Sequence, residues 1–265
     1  MRSSISFVLD NNIITEDFSK AVTPTTTVLN YLRSLPSHKG VKEGCAEGDC
    51  GACTVVLGEL SNDNKLRYKA VDSCLVFMPM IHGKQLVTVE DLKTNDEPLH
   101  PVQQAMVETG GSQCGYCTPG IIMSLFSLYK NHDHPTRHEI DDALTGNLCR
   151  CTGYKPIVEA AAKSCVHHGA DSLSAKEKEV VELLRTIEHN SAIIKSKTQT
   201  YFQPTTLPEA LTLKHQHPDA IVICGATDIA LRVTKKHELL ETILDLSFVE
   251  ELKTMREESD SLRIG

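Results

Sequence analysis

The chain has 265 residues, of which 40% are hydrophobic and 23% charged, so it is long enough for about two domains with buried cores and too apolar to be disordered. The net charge of −8 excludes the broad basic surface that nucleic-acid or anionic-membrane binding uses. No apolar run approaches the roughly 20 residues of a membrane span; the longest covers residues 121–129.

Cysteine is the compositional anomaly: there are ten, and no tryptophan. The N-terminal MRSSISFVLDNN does not read as a secretory signal. A reducing, cytoplasmic setting is therefore expected, in which cysteines serve as ligands rather than disulfides.

Residues 4–9 alternate Ile5, Phe7 and Leu9 and predict a strand, and Asp10-Asn11-Asn12 predicts a hairpin turn. Residues 25–33 predict a short helix with Val28, Leu29 and Leu32 on one face. The following loop carries Cys45, Cys50 and Cys53 as C-x4-C-x2-C, with Cys74 beyond 20 intervening residues. Residues 54–57 predict a strand, 70–80 another with Cys74 near its start, and Leu86, Val87 and Val89 a last one. This cysteine spacing is that of plant-type ferredoxins holding a two-iron, two-sulfur (2Fe-2S) cluster. Gly44, Gly48 and Gly51 allow a tight loop to approach such a cluster and aim amides at its sulfurs. Zinc is the structural alternative, although zinc sites favour paired C-x2-C elements.

Residues 100–109 predict a helix ended by Gly110-Gly111. A second helix follows Pro119 over 120–130, apolar nearly all round and so deeply buried. Thr136 and Glu139 make a capping box for a third helix through Leu144, and Pro156 opens a fourth through about Val166. Four helices with short loops predict a small bundle. Cys114 and Cys117 occupy one inter-helix turn, Cys149 and Cys151 the other, and both turns can lie at one end. The C-x2-C plus C-x-C set suits a 2Fe-2S cluster in which each sequence pair serves one iron; zinc stays open on spacing alone. Cys165 reads as a core residue. The His167-His168 pair, just past a helix end, reads as a C-terminal cap, and His132 and His134 read as solvated.

Residues 171–190 predict a charged helix with a Ser174/Glu177 capping box and an apolar stripe of Val180, Val181, Leu184 and Ile187. The polar stretch 191–199 reads as a connector. Residues 208–215 predict a short helix, 220–224 a buried strand, and 225–228 a tight loop, with Cys224 in the core. Leu262 and Ile264 begin a further strand. The sequence has no H-E-x-x-H, no G-x-S-x-G and no P-loop, so zinc hydrolase, serine hydrolase and P-loop NTPase chemistry have no support.

Taken together, KEGCAEGDCGACTV (42–55), Cys74, QCGYCTPG (113–120) and GNLCRCTGY (146–154) resemble the iron–sulfur part of the xanthine dehydrogenase and aldehyde oxidoreductase family of molybdenum hydroxylases. The resemblance implies an α+β chain: a β-grasp 2Fe-2S ferredoxin domain over 1–92, a four-helix 2Fe-2S bundle over 93–168, a linker over 169–200, and the N-terminal part of an α+β FAD-binding domain over 201–265. It implies that Cys45, Cys50, Cys53 and Cys74 hold one cluster. Cys114, Cys117, Cys149 and Cys151 hold the other, nearer a molybdopterin cofactor that Gln113 would touch. The segment Val222, Ile223, Cys224, Gly225, Ala226, Thr227, Asp228, Ile229 and Ala230 matches the family strand and loop that cradle the FAD pyrophosphate. There Gly225 permits close approach and the loop amides form an anion nest. The family's flavin domain is longer than 201–265, so the resemblance implies an incomplete flavin site.

The implied role is an electron-transfer subunit without a substrate-hydroxylating residue, docked on a molybdenum-binding large subunit in a heteromeric assembly. Electrons would pass from molybdenum through two clusters to FAD and NAD. The fused flavin-domain start favours the xanthine dehydrogenase arrangement and a purine substrate over an aldehyde or carbon monoxide oxidoreductase. A cysteine-rich zinc-binding interaction protein is the alternative of another class.

Overall fold

The computed structural model of the chain describes residues 2–18, 21–61, 63–93, 98–166 and 171–265. The His167-His168 pair lies outside them. Strand β1 (Ser4–Leu9) turns directly into β2 (Asn12–Asp17). Asp10 and Asn11 both take left-handed φ, 51° and 57°, the pattern of a tight hairpin turn that Asp and Asn tolerate. Helix α1 (Val28–Ser34) is capped by the Thr27 hydroxyl. Strands β3 (Thr54–Leu60), β4 (Leu66–Asp72) and β5 (Gln85–Val87) complete a five-stranded sheet of order β2-β1-β5-β3-β4. Strand β1 pairs parallel with β5 and the other pairs are antiparallel, the β-grasp arrangement expected.

The strand predicted over 70–80 is corrected: β4 ends at Asp72, and Cys74 sits in a 3-10 helix, Ser73–Leu75. A second 3-10 helix, Met78–Ile81, follows. Pro79 has no N–H for a ladder, and Met78, Pro79, Met80 and Ile81 are all buried, so no period of two exists. Val89 likewise leaves the last strand for a 3-10 helix, Val89–Leu92, where Thr88 and Asp91 form a capping box that breaks the ladder.

Helices α2 (Pro101–Glu108), α3 (Thr118–Asn131), α4 (Arg137–Leu144) and α5 (Lys155–Ser164) form the expected bundle. Helix α3 buries seven apolar side chains from Ile121 to Tyr129, each contributing about 2 kcal/mol. They do not form a separate core: Val8, Val56, Tyr68 and Val87 of the sheet share one cluster with α3 and with α6 (Ser172–Arg185). The cap of α6 is Asp171, which accepts from Ser174 N at 2.7 Å. This replaces the predicted Ser174/Glu177 box, because Glu177 instead accepts from Leu66 N at 3.3 Å. His132, read as solvated, pairs with Glu139 at 3.3 Å, since the capping box holds that carboxylate nearby. Cys165 is buried as expected.

The stretch read as a connector contains strand β6 (Ala192–Lys195). Ala192 and Ile194 are its buried face, an alternation masked by its polar neighbours. Strand β7 (Thr200–Gln203), helix α7 (Leu207–Gln216), strand β8 (Ile221–Ile223), helix α8 (Ile229–Thr234) and strand β9 (Thr242–Asp245) follow. Their sheet runs β6-β7-β9-β8, with β7 and β8 parallel to β9. Being an edge strand, β8 is only half buried. Val222 and Cys224 are exposed, which corrects the core reading of Cys224. A last hairpin pairs β10 (Met255–Glu257) with β11 (Leu262–Ile264).

Candidate electron-transfer centres

The first thiol set lies on the loop between α1 and β3, with Cys74 brought in by the 3-10 turn after β4. The Cys45 and Cys50 thiols are near enough to shift one another's ionisation, and the Cys74 thiol shifts that of Cys53. Burial works against ionisation of Cys45. The Glu47 amide, the Cys50 thiol and the Asp49 and Cys50 amides outweigh it and lower its pKa. The Cys74 thiol and then burial push Cys53 far up. Gly48 and Gly51 take left-handed φ of 82° and 67°, so the loop curls back and turns its amides toward sulfur.

The second set joins the two inter-helix turns. Cys114 neighbours Cys151, and Cys117 neighbours Cys149, so each pair crosses between the turns. These influences run between the two turns rather than within C-x2-C or C-x-C. The Tyr116 amide, before the Cys151 thiol, lowers the Cys114 pKa. Burial and then Cys149 raise Cys117 to about 12. Cys149 is held down, against burial, by the Thr152 hydroxyl and amide. Its own amide donates to Tyr154 Oη at 2.9 Å.

Among the described residues, no three of these eight sulfurs lie within 4.8 Å of one another. A tetrahedral zinc, with Zn–S near 2.3 Å, needs all four within about 3.8 Å. Close pairs set apart from each other fit ligands divided between two irons. In each pair that shows opposite shifts one thiol is biased toward thiolate, and the amides responsible are donors suited to cluster sulfur.

The two loops touch directly. Leu148 N donates to Cys50 O at 3.0 Å. Asn147, 3% exposed, donates to Gly51 O at 3.1 Å and Thr54 Oγ1 at 3.2 Å, and accepts from Ser124 Oγ at 2.6 Å. Tyr116 Oη donates to Glu43 O. Gly120 admits this contact: a Cβ there would lie 2.0 Å from Gly51 O. From the third region, Lys235 at the end of α8 donates to Cys45 O at 3.1 Å and pairs with Glu47 at 3.2 Å.

The exposed residues beside the second set include Gln113, Cys114, Cys151, Tyr116 and Leu148. In the third region, Gly225 has φ of 91° and open space around it. Thr227 and Asp228 are exposed, while Ala226 and Ala230 pack inward. An open glycine turn after a strand suits close approach by a phosphate. The sequence reading missed Asn147, Leu148 and Lys235. The first two stand inside a recognised motif, whereas no sequence pattern marks Lys235.

Three family models match in order: a 2Fe-2S iron-sulfur cluster binding domain over residues 14–78, a [2Fe-2S] binding domain over 88–162, and the FAD binding domain in molybdopterin dehydrogenase over 195–265. The chain is 36% identical to xanthine dehydrogenase of Drosophila pseudoobscura pseudoobscura, over 91% of this chain and 21% of that protein. It is 31% identical to human (Homo sapiens) aldehyde oxidase, over 93% of this chain and 22% of that protein. It therefore spans about a fifth of the length of these curated relatives. Among solved structures, aldehyde oxidoreductase from Desulfovibrio gigas superposes with a TM-score of 0.53 at 30% identity, over 68% of this chain and 18% of that one. Quinoline 2-oxidoreductase from Pseudomonas putida 86 gives 0.51 at 27%, over 69% and 95%. Two 2Fe-2S domains followed by the beginning of this kind of flavin domain place the chain in the molybdenum hydroxylase family, as an iron–sulfur and FAD-domain region.

Proposed function

We propose that this chain is the electron-conducting part of a molybdenum hydroxylase, with Cys45, Cys50, Cys53 and Cys74 holding one 2Fe-2S cluster and Cys114, Cys117, Cys149 and Cys151 the other. The domain boundaries we assign are 1–92, 93–168 and 201–265. The observation that carries the reading is the direct hydrogen bond from Leu148 N to Cys50 O, which joins a residue adjacent to one ligand to the backbone of another. When bound, the clusters and FAD supply one- and two-electron redox chemistry between a molybdenum centre and NAD.

The residues of this chain have distinct parts in that task. The cysteines hold iron, and the loop amides stabilise charge on sulfur. Asn147 and Gly120 keep the loops in contact, and Lys235 ties the Cys45 loop to the third region. Gln113, with Tyr116 and Leu148, faces outward beside the second set and would meet the molybdopterin-bearing large subunit. Residues 222–230 would take the FAD pyrophosphate. Relatives named for xanthine and for aldehyde oxidation both match. We favour a purine substrate because the flavin-domain start is fused to the cluster domains, and a cytoplasmic setting because the cysteines read as ligands. Among the described residues, no helix is long and apolar enough to cross a membrane.

The test is iron and acid-labile sulfide per chain, with a visible spectrum, on anaerobically purified protein. About four of each are expected. About two would mean that one thiol set is misassigned. Zinc without sulfide would overturn the redox reading and promote a zinc-binding interaction protein.

A further inference from the structure

Away from both thiol sets, Asp10, His38 and Asp91 bring one ligand atom each to within 4.8 Å of the others. Asp10 comes from the β1–β2 turn, His38 from the loop after α1, and Asp91 from the 3-10 helix after β5. His38 is 1% exposed. Its Nδ1 lies 3.0 Å from Thr88 Oγ1, and its Nε2 lies 3.2 Å from Asp10 Oδ2.

Proton counting makes the cluster unusual. The Thr88 hydroxyl donates its single proton to Asp91 Oδ2 at 2.9 Å. Toward His38 it can only accept, so Nδ1 carries the ring proton. In a neutral ring, the Nε2 lone pair then faces a carboxylate oxygen. The Asp10 and Asp91 carboxyls are also within hydrogen-bond contact of each other. Two acceptor-to-acceptor contacts thus converge on one point, and each needs a proton, or both need one cation. A second observation points the same way. Asp10 and Asp91 line a cavity of about 210 Å³ together with Gln85 and Glu90. Gln85 is 5% exposed, and neither its Oε1 nor Glu90 Oε2 has a partner. Lys176 lines the same cavity, yet makes no ion pair with either aspartate among the described residues.

We propose that Asp10, His38 and Asp91 form a structural site for one divalent cation of the manganese or zinc class, clamping the β1–β2 turn to the segment after β5. The Nδ1–H to Thr88 contact is the outer hydrogen bond that fixes the tautomer of a metal-binding histidine. One imidazole with two carboxylates suits a borderline transition ion better than Ca²⁺, which takes six or more oxygens. The two aspartate charges balance the ion.

The probe is Mn²⁺, which competes poorly for thiolates. The cluster-loaded chain, stripped with a chelator, is titrated at about pH 8 while the electron paramagnetic resonance (EPR) signal of free Mn²⁺ is followed. One Mn²⁺ per chain is expected, with a rise in melting temperature. Asp10→Asn lies on an exposed turn. Asp91→Asn keeps an acceptor for Thr88 N, so the visible cluster spectrum should persist in both. Each should weaken Mn²⁺ binding by about tenfold or more. Absence of saturable binding, or binding equal to wild type in both variants, would overturn the site and leave shared protons as what satisfies the cluster.

Discussion

Gly120→Ala tests the junction between the two thiol loops. A Cβ at Gly120 would stand 2.0 Å from Gly51 O and 3.3 Å from Ala52 Cα. Ordinary contact begins at 3.4 Å, so the Gly51 carbonyl and the start of α3 must separate by 3.4 − 2.0 = 1.4 Å. The obstacle is backbone, which has no rotamer to yield. Overpacking of this kind costs about 1–3 kcal/mol. The same shift breaks the 3.1 Å Asn147–Gly51 bond and strains the 3.0 Å Leu148–Cys50 bond, each worth about 1 kcal/mol. The expected loss is about 3–5 kcal/mol in denaturant unfolding. In protein that still folds, iron content should be unchanged while the magnetic interaction between the two reduced clusters, read by EPR, weakens. Stability and spin coupling both equal to wild type would refute the claim that backbone contact at Gly120 sets the loop separation.

Cys50→Ser should remove one cluster and leave the other, lowering iron from about four to about two per chain; simultaneous loss of both spectra would contradict the two-set assignment. Burial depresses His82 and His100 to about 4. Unfolded imidazoles take up protons from about pH 6.5, while the folded ones wait until about pH 4. Stability is therefore complete above 6.5 and lost as pH falls toward 4, by about 3 kcal/mol for each histidine. His100→Asn keeps an N-cap acceptor for Val102 N and should roughly halve that acid loss in denaturant titrations at two pH values; an unchanged slope would exclude His100. Arg2 donates to Gln203, which holds the fully buried Asp245 at 3.0 Å. Arg2→Met should cost about 2 kcal/mol and speed amide exchange in β6, and unaltered exchange there would count against a role of the Arg2 side chain in holding that strand.

That the thiols gather in two sets was legible because most of each set stands in short glycine-containing stretches of close cysteine spacing. Strand β1 and the buried α3 were legible because the apolar pattern and burial agree there. What failed was decided by contacts distant in sequence. The influence of Cys151 on Cys114 and of Cys149 on Cys117 arises because two turns meet, which no spacing encodes. Strand β6 hid because a four-residue strand gains its partner from β7 and its bridge from Arg2, 190 residues away. Asn147 looked like motif filler, yet it satisfies two groups of the other loop inside a buried junction.

These contacts also differ in strength across the molecule, and the difference bears on how the centres are held. Between the thiol sets one backbone hydrogen bond joins the buried side-chain contacts of Asn147, backed by a core shared between sheet and bundle. It has little freedom to open. Toward the third region, the contact at the Cys45 loop is the partly exposed Lys235–Glu47 pair, worth under about 1 kcal/mol. That region is instead anchored farther off. Gln199 bonds Thr25 Oγ1 at 3.0 Å and Leu240 O at 2.9 Å, and Tyr201, Ile194 and Ile243 pack into the core beneath β1 and α1. Lys235→Met should therefore leave global stability within about 0.5 kcal/mol of wild type, while removing a positive charge that touches the Cys45 carbonyl. A lowered reduction potential of the cluster at Cys45, with unchanged unfolding, would show that this lysine acts on the centre and not on the fold. A shift in stability without a shift in potential would reverse that assignment.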